Sequence, residues 1–83
     1  MEFNQMKQIM TIAKTGNISK AAEELYMSQS ALSHALLKEE AQLEVKLFDR
    51  SSYPMKLTFA GQKYIEMAEG IQKLYRNFEK TCW

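Results

Sequence analysis

The chain has little of what usually stabilises a very small domain. One cysteine and one histidine stand among its 83 residues, so it can form no internal disulfide, and histidine alone cannot build a metal site. A single thiol fits a reducing compartment. No apolar run approaches the roughly 18 residues of a membrane span, and the N-terminus lacks a secretory signal pattern. The sequence therefore predicts a cytoplasmic protein with one modest core, or one piece of a larger protein.

Charge of one sign is also scarce. Eleven Lys and Arg residues against ten Asp and Glu residues leave a net charge of +1, so composition alone does not indicate a nucleic-acid partner. A DNA-binding function must depend on where the basic side chains lie. The sequence also lacks a nucleophile–base pair, a Gly-rich phosphate loop and a cluster of metal ligands. It therefore argues against an enzyme and implies no cofactor.

Helix is the dominant pattern, since three glycines and one proline leave few breaks. Spacings of three and four predict a first helix that ends at Gly16, which suits the left-handed conformation at helix ends. Its apolar stripe consists of Phe3, Met6, Met10 and Ala13. Ser19 is suited to cap a second helix, "SKAAEELY", whose inward-facing residues are Ala21, Ala22 and Leu25.

A third helix is predicted from about Gln29 to about Leu43, with Ser28 as its N-cap. At about 100° per residue, its two sides differ in chemistry. The core side is predicted to carry Leu32, Ala35, Leu36 and Leu43. The opposite side carries Ser30, Ser33, His34, Leu37 and Ala41, so it is rich in short hydrogen-bonding side chains.

The pattern changes after the third helix. "VKLFDR" and "MKLT" are short strand-like runs around the loop "SSYP", which predicts a β-hairpin. Thr58 is suited to cap a last helix that reaches about Thr81 and is roughly 34 Å long, too long for so small a domain to cover. Its apolar stripe consists of Tyr64, Ala68, Ile71, Tyr75, Phe78 and Cys82.

Helix, turn, helix and hairpin, in this order, describe a winged helix-turn-helix. Four blocks carry a more specific signal: "AAEEL", "SQSALSHAL", "LFDR" and "LTFAG". With these blocks in order and in register, the chain resembles the N-terminal DNA-binding domain of LysR-type bacterial transcriptional regulators from about residue 2 to about residue 80. The predicted fold is mainly α, with a winged helix-turn-helix (three-helix core and small hairpin wing) over 1–58 and a long linker and dimerisation helix over 59–83.

The resemblance implies sequence-specific binding to double-stranded DNA, usually at an interrupted inverted repeat. The third helix would enter the major groove and the wing would lie on the phosphate backbone. The implied base contacts are Gln29, Ser30, Ser33 and His34. The candidates for phosphate contacts, at the helix caps and the wing, are Ser19, Lys20, Ser28, Lys38, Arg50 and Lys56. Short side chains suit this role because they let the helix backbone sit deep in the groove.

The resemblance also implies a homodimer, in which the last helix packs against the same helix of a second subunit. The candidate residues for this contact are Tyr64, Ala68, Ile71, Tyr75 and Phe78. In the family this helix leads to an effector-sensing domain, and a small-molecule effector is implied only through that domain. The sequence stops without it, so the chain is expected to be a fragment or a naturally short version. No membrane partner is implied.

The third helix and the turn after it depart from the family pattern. Ser30 and His34 replace a usual proline and arginine, which weakens the fixed charge of this face. Leu37 replaces a commonly basic residue and suits either a thymine methyl group or an apolar spot on the surface. Glu39 stands where the family prefers leucine, on the buried side of the helix. It is therefore expected to pair with a basic side chain or to reach water through rotation of the helix. Glu44 replaces a glycine, so the turn is expected to close differently.

Two alternatives remain open in the sequence. Arg50 has possible carboxylate partners in Glu40 and Glu44, instead of a phosphate. The near-zero net charge, the three nearby glutamates and the poorly basic wing also fit a different function. That alternative is a winged-helix protein-interaction or dimerisation module with little DNA affinity.

Overall fold

The computed structural model describes residues 3–82, in which four helices and one two-stranded sheet follow each other along the chain. The helices are α1 (Phe3–Thr15), α2 (Ile18–Glu24), α3 (Gln29–Leu43) and α4 (Phe59–Cys82). Strands β1 (Phe48–Asp49) and β2 (Lys56–Leu57) pair antiparallel between α3 and α4. This order confirms the predicted winged helix-turn-helix with a long last helix. Residues 1, 2 and 83 of the two predicted units lie outside the described residues.

One core collects apolar side chains from α1, α2, α3, the hairpin and the first half of α4. Its buried members are Met6, Ile9, Ile12, Ala21, Ala22, Leu32, Leu36, Leu47, Phe48, Tyr64 and Ala68. The predicted stripe of α1 is partly wrong, because the side that faces the core runs through Ile9 and Ile12 while Phe3 is exposed. Leu43, in the last turn of α3, is also exposed.

The turn between α1 and α2 contains Gly16 in the predicted left-handed conformation, with φ of +68°. The cap of α2 is Asn17, whose Oδ1 accepts a hydrogen bond from the Lys20 N–H at 3.2 Å. The prediction of Ser19 as this cap is wrong, because the observed cap lies two residues earlier and Ser19 is in the first turn of the helix. The side chain of Ser19 is therefore available to another partner.

The loop of the hairpin folds back onto this turn. The Met55 N–H donates to the Gly16 carbonyl at 3.0 Å, and Asn17 Nδ2 donates to Tyr53 Oη at 2.6 Å. A Cβ at Gly16 would lie only 2.7 Å from Pro54 Cβ, so the contact leaves no room for a side chain. The wing is therefore fixed to the body of the domain.

The turn after α3 closes through Glu44, which has a left-handed φ of 59°. Its N–H donates to the Ala41 carbonyl at 3.3 Å, as a glycine in this position would do. The expectation of a different closure is wrong, because the glutamate adopts the glycine-like conformation. That conformation costs about 1–2 kcal/mol in a residue that has a Cβ.

The start of α4 is held by Thr58 and Gly61. Thr58 Oγ1 accepts from the Gly61 N–H at 3.0 Å and donates to the Lys46 carbonyl at 2.6 Å, which confirms the predicted cap. A Cβ at Gly61 would overlap the Leu47 carbonyl oxygen. The direction of α4 is thus set by close backbone contact with the hairpin. None of the helices in residues 3–82 has an apolar segment long enough to cross a bilayer.

We expect Gly61→Ala to lower the free energy of unfolding by about 1–3 kcal/mol, because the added methyl group must push α4 away from the hairpin. Gly70→Ala is the matched control, since nothing lies within 4 Å of a Cβ at that position. It should raise the free energy of unfolding by up to about 1 kcal/mol through helix propensity. Urea denaturation measures both, and equal effects at the two sites would contradict the close contact.

Candidate nucleic-acid interface

Two serine side chains fix the N-terminus of α3. Ser28 Oγ accepts a hydrogen bond from the Ala31 N–H at 3.0 Å, which confirms Ser28 as the cap. Ser19 Oγ donates to Gln29 Oε1 at 2.7 Å and so links the first turns of α2 and α3. This bond uses the hydroxyl proton of Ser19, and a phosphate only accepts hydrogen bonds. The phosphate contact of Ser19 stays a prediction, and the amide NH2 of Gln29 remains available as a donor.

The outward side of α3 is a polar strip with one apolar member. Gln29, Ser30, Ser33, His34 and Leu37 line one shallow depression, which we call the α3 face. Ser33 is half-buried and the other four are exposed. The structure thus brings together all four residues predicted to contact bases, on a surface that no other described element covers.

The inward side of α3 contains an unexpected pair of buried carboxylates, Glu39 and Glu40, which are 4% and 3% exposed. Tyr64 Oη, from α4, donates to Glu39 Oε2 at 2.9 Å. Both expectations for Glu39 are wrong, because its partner is a phenol rather than a cation and the helix is not rotated to bring it to water. Burial raises the pKa of Tyr64, and the hydrogen bond to Glu39 and its charge raise it further, so the phenol stays protonated.

Glu40 connects α3 to the wing. Its Oε2 accepts hydrogen bonds from the N–H groups of Leu47 at 2.7 Å and Phe48 at 3.4 Å. Arg50 Nη2 lies 3.5 Å from Glu40 Oε1, so the carboxylate partner of Arg50 is Glu40 rather than Glu44. The anchoring role of Glu40 was not predicted from the sequence. The available signal was its place beside Glu39, on the side of α3 that also carries Leu32 and Leu36.

Exposed basic side chains lie on α2, on α3 next to Leu37, and on the wing. Lys20 on α2 and Lys38 on α3 are exposed. Lys56 and Arg50 share a depression on the wing with Lys46, a cation that the sequence analysis missed although it precedes "LFDR". The opposing charge of Asp49 is close, since Asp49 pairs with Lys56 across the hairpin.

Asp49 keeps its negative charge in the wing. Hydrogen bonds from the Ser51 hydroxyl and the Ser51 N–H lower the pKa of Asp49, and the positive charge of Lys56 lowers it further. The wing therefore presents three cations and one fixed anion, a weakly basic surface. Long-range attraction to a polyanion is correspondingly modest.

The predicted apolar stripe of α4 is mostly occupied by contacts within the domain itself. Tyr64 and Ala68 are 5% and 0% exposed, because they lie in the domain's own core. Contrary to the prediction, neither is available to a second chain. Ile71 packs partly against that core, and Tyr75 lays its ring against Phe3 with centroids 5.6 Å apart.

Beyond the core, α4 leaves a different apolar face uncovered. This exposed α4 face consists of Met67, Leu74 and Phe78, which lie on one side of the helix at 39%, 71% and 61% exposure. Of the five residues predicted for subunit contact, Phe78 is on this face. Leu74 was not predicted, because the stripe follows the side of α4 that packs against α1 and the hairpin.

Known proteins resemble this chain over nearly its whole length. The model of the family described as bacterial regulatory helix-turn-helix protein, lysR family, matches residues 3–62. The HTH-type transcriptional regulator MetR of Haemophilus influenzae is 38% identical over 71 residues, which are 86% of this chain and 23% of that protein. The chain spans about a quarter of the length of the curated relatives it matches.

Solved structures show the same fold. The CbnR DBD–DNA complex superposes with a TM-score of 0.85 at 35% identity, covering 98% of this chain and 94% of that one. The BenM DBD/benA site 1 DNA complex reaches a TM-score of 0.91 at 23% identity, covering 99% and 92%, and supports the fold alone.

Tyr64→Phe should lower the free energy of unfolding by about 1–3 kcal/mol, because it leaves the buried Glu39 carboxylate without its phenol donor. The double variant Glu39→Leu/Tyr64→Phe should lose less than Tyr64→Phe alone, since both polar partners are then gone. Urea denaturation of the natural chain, the single variants Glu39→Leu and Tyr64→Phe, and the double variant completes a double-mutant cycle that measures the coupling. Additive effects would contradict it.

The same pair gives a pH signature. The raised pKa of Tyr64 in the folded chain means that the unfolded chain releases this proton first as the pH rises above about 10. Stability should therefore fall above that pH more steeply in the natural chain than in Tyr64→Phe. Parallel curves would show that the hydrogen bond does not hold the proton.

Proposed function

Because the chain belongs to the lysR family of bacterial regulatory helix-turn-helix proteins, we propose that it binds double-stranded DNA sequence-specifically as the DNA-binding part of a transcriptional regulator. The observation that carries this proposal is the asymmetry of α3, whose outward side is polar and open while its inward side is anchored at two carboxylates. A neighbour with the same fold and 35% identity is a DNA complex. The proposed role is non-enzymatic. It is carried out in the bacterial cytoplasm, where the chromosome lies.

In this proposal the α3 face enters the major groove. Ser30, Ser33 and His34 contact base edges, and Gln29 joins them through its amide NH2. Short serines allow close approach of the helix, and hydroxyl and imidazole groups both donate and accept hydrogen bonds. The free N–H groups at the start of α3, capped by Ser28, favour a nearby phosphate.

Phosphate contacts come from cations around this face. The proposed contacts are Lys20, Lys38 and Lys56, with Lys46 added from its place in the wing depression. Arg50 contributes less, since its guanidinium already lies beside Glu40. Few cations, partly neutralised by nearby carboxylates, predict modest affinity, and each phosphate contact that forms adds about one to the slope of log affinity against log salt concentration.

We further propose a homodimer through the exposed α4 face. Three large apolar side chains along one side of a helix are the pattern that helix pairing buries. A two-fold dimer of this kind would present two α3 helices to one duplex, which suits an inverted repeat. Tyr75 and Ile71 lie beside this face and would flank the contact.

A protein-interaction module is the second candidate. The pairing of Arg50 with Glu40 and the carboxylate of Asp49 opposite Lys56 both reduce the positive charge of the wing. Such a module would not need cations there. Binding to duplex DNA at low salt separates the two functions.

The 83-residue chain should bind duplex DNA with an affinity that falls linearly on a log–log plot against salt concentration. Lys56→Ala should weaken binding to all sequences alike and lower the salt slope by about one. Lys80→Ala, at the far end of α4, is the matched control and should change neither quantity. Fluorescence anisotropy with a random duplex measures this, and no affinity at low salt would favour the interaction module.

Base preference should depend on the α3 face. Ser33→Ala and His34→Ala should each change which bases are selected from a random DNA pool, by about 1–3 kcal/mol at the affected position. Sequencing of the bound pool also reports half-site symmetry. A loss of affinity that is equal for all sequences would instead assign His34 to the phosphate contacts.

Leu74→Glu should shift the chain towards monomer at high protein concentration, because a buried charge opposes pairing of the exposed α4 faces. Lys73→Glu is the control, since this substitution introduces the same side chain at a position that points to another side of α4. Sedimentation velocity over a concentration series measures the shift. A natural chain that stays monomeric throughout would overturn the proposed dimer.

A further inference from the structure

Leu37 is an apolar side chain in the middle of an otherwise polar surface. It is 46% exposed and lines the same depression as Gln29, Ser30, Ser33 and His34. The helical period places it between Ser33, one turn earlier, and Ala41, one turn later. Both neighbours are small, so Leu37 projects beyond them.

A single exposed leucine is ordinary on a protein surface, and its location is what distinguishes Leu37. The described part of α3 has one other large exposed apolar residue, Leu43, at 39% exposure. At about 100° per residue, Leu43 points roughly 120° away from Leu37 and therefore away from the α3 face. Leu37 is thus the apolar element of this face.

The major groove offers few partners for an apolar side chain. Base edges there present hydrogen-bond donors and acceptors, together with one apolar group, the C5 methyl of thymine. Resting on the proposed DNA-binding function, we propose that Leu37 determines specificity by packing on a thymine methyl group. The polar members of the α3 face then read the neighbouring base edges.

The spacing along α3 locates this thymine. Leu37 lies four residues beyond Ser33, a rise of about 6 Å along the helix axis. Base pairs are separated by about 3.4 Å along the duplex, so the thymine lies about one or two base pairs from the position that Ser33 reads. Each half-site contains one such thymine.

The test replaces thymine by uracil, which removes the methyl group and leaves every hydrogen-bonding atom in place. The natural chain is first used to select its preferred duplex, and each thymine of that duplex is then changed singly. We expect one position in each half-site where uracil weakens binding about fourfold, the value of one buried methyl group. At that position 5-methylcytosine should bind more tightly than cytosine.

Variants assign the methyl contact to its residue. Leu37→Ala should bind the thymine and uracil duplexes alike, within the error of the titration. Leu43→Ala is the matched control and should keep the fourfold difference, because it shortens a leucine of the same helix that faces elsewhere. Circular dichroism confirms that both variants are folded.

Each other outcome overturns a stated part of the proposal. Tight binding that is unchanged by uracil at every position would refute the methyl contact and leave DNA binding intact. A difference that persists in Leu37→Ala would assign the methyl group to another residue. Binding to no duplex would refute the proposed function, and the inference with it.

Discussion

Glu39 and Glu40 are neighbouring carboxylates on the inner side of α3, and each is held by a different part of the domain. A buried carboxylate is costly unless hydrogen bonds replace the lost water. Tyr64 supplies that bond from α4, and the Leu47 and Phe48 N–H groups supply it from the wing. The two sets of partners lie on different elements. A rotation of α3 about its own axis would move both carboxylates and break both sets of hydrogen bonds. The direction of the α3 face depends on this constraint.

The charge distribution complements this rigidity. A chain with a net charge of +1 has little long-range attraction for DNA, and Asp49 and Glu40 compensate part of the wing's positive charge. In the proposed function, specificity then depends on short-range contacts of Ser30, Ser33 and His34, which act only in a well-defined orientation. A fixed reading helix is thus what a weakly basic domain of this kind needs.

Local signals in the sequence were enough to predict the elements. Ser28 as cap and the apolar period gave α3 its observed bounds, and Gly16 gave the end of α1. The cap of α2 was misplaced because Asn17 and Ser19 both have suitable side chains and only the start of the helix distinguishes them.

Contacts between distant residues could not be predicted in this way. The partner of Glu39 is 25 residues away on α4, and nothing in the local pattern identifies a tyrosine rather than a cation. The same limit applies to α4, where the apolar period predicts a stripe but not which part of it α1 and the hairpin cover. Tyr64 and Ala68 therefore proved to be core, and Leu74 was overlooked. The position of the α3 face was predictable since it follows from helical geometry alone.

In the proposed function, the outward side of α3 meets the DNA. Chemical-shift mapping of the isotope-labelled chain during titration with duplex DNA tests it directly, since backbone amides report contact residue by residue. The largest shifts are expected in residues 29–37 and in the wing, with the buried amides of Ile9 and Ile12 unmoved. Shifts confined to residues 67–78 of α4 would refute the proposed orientation.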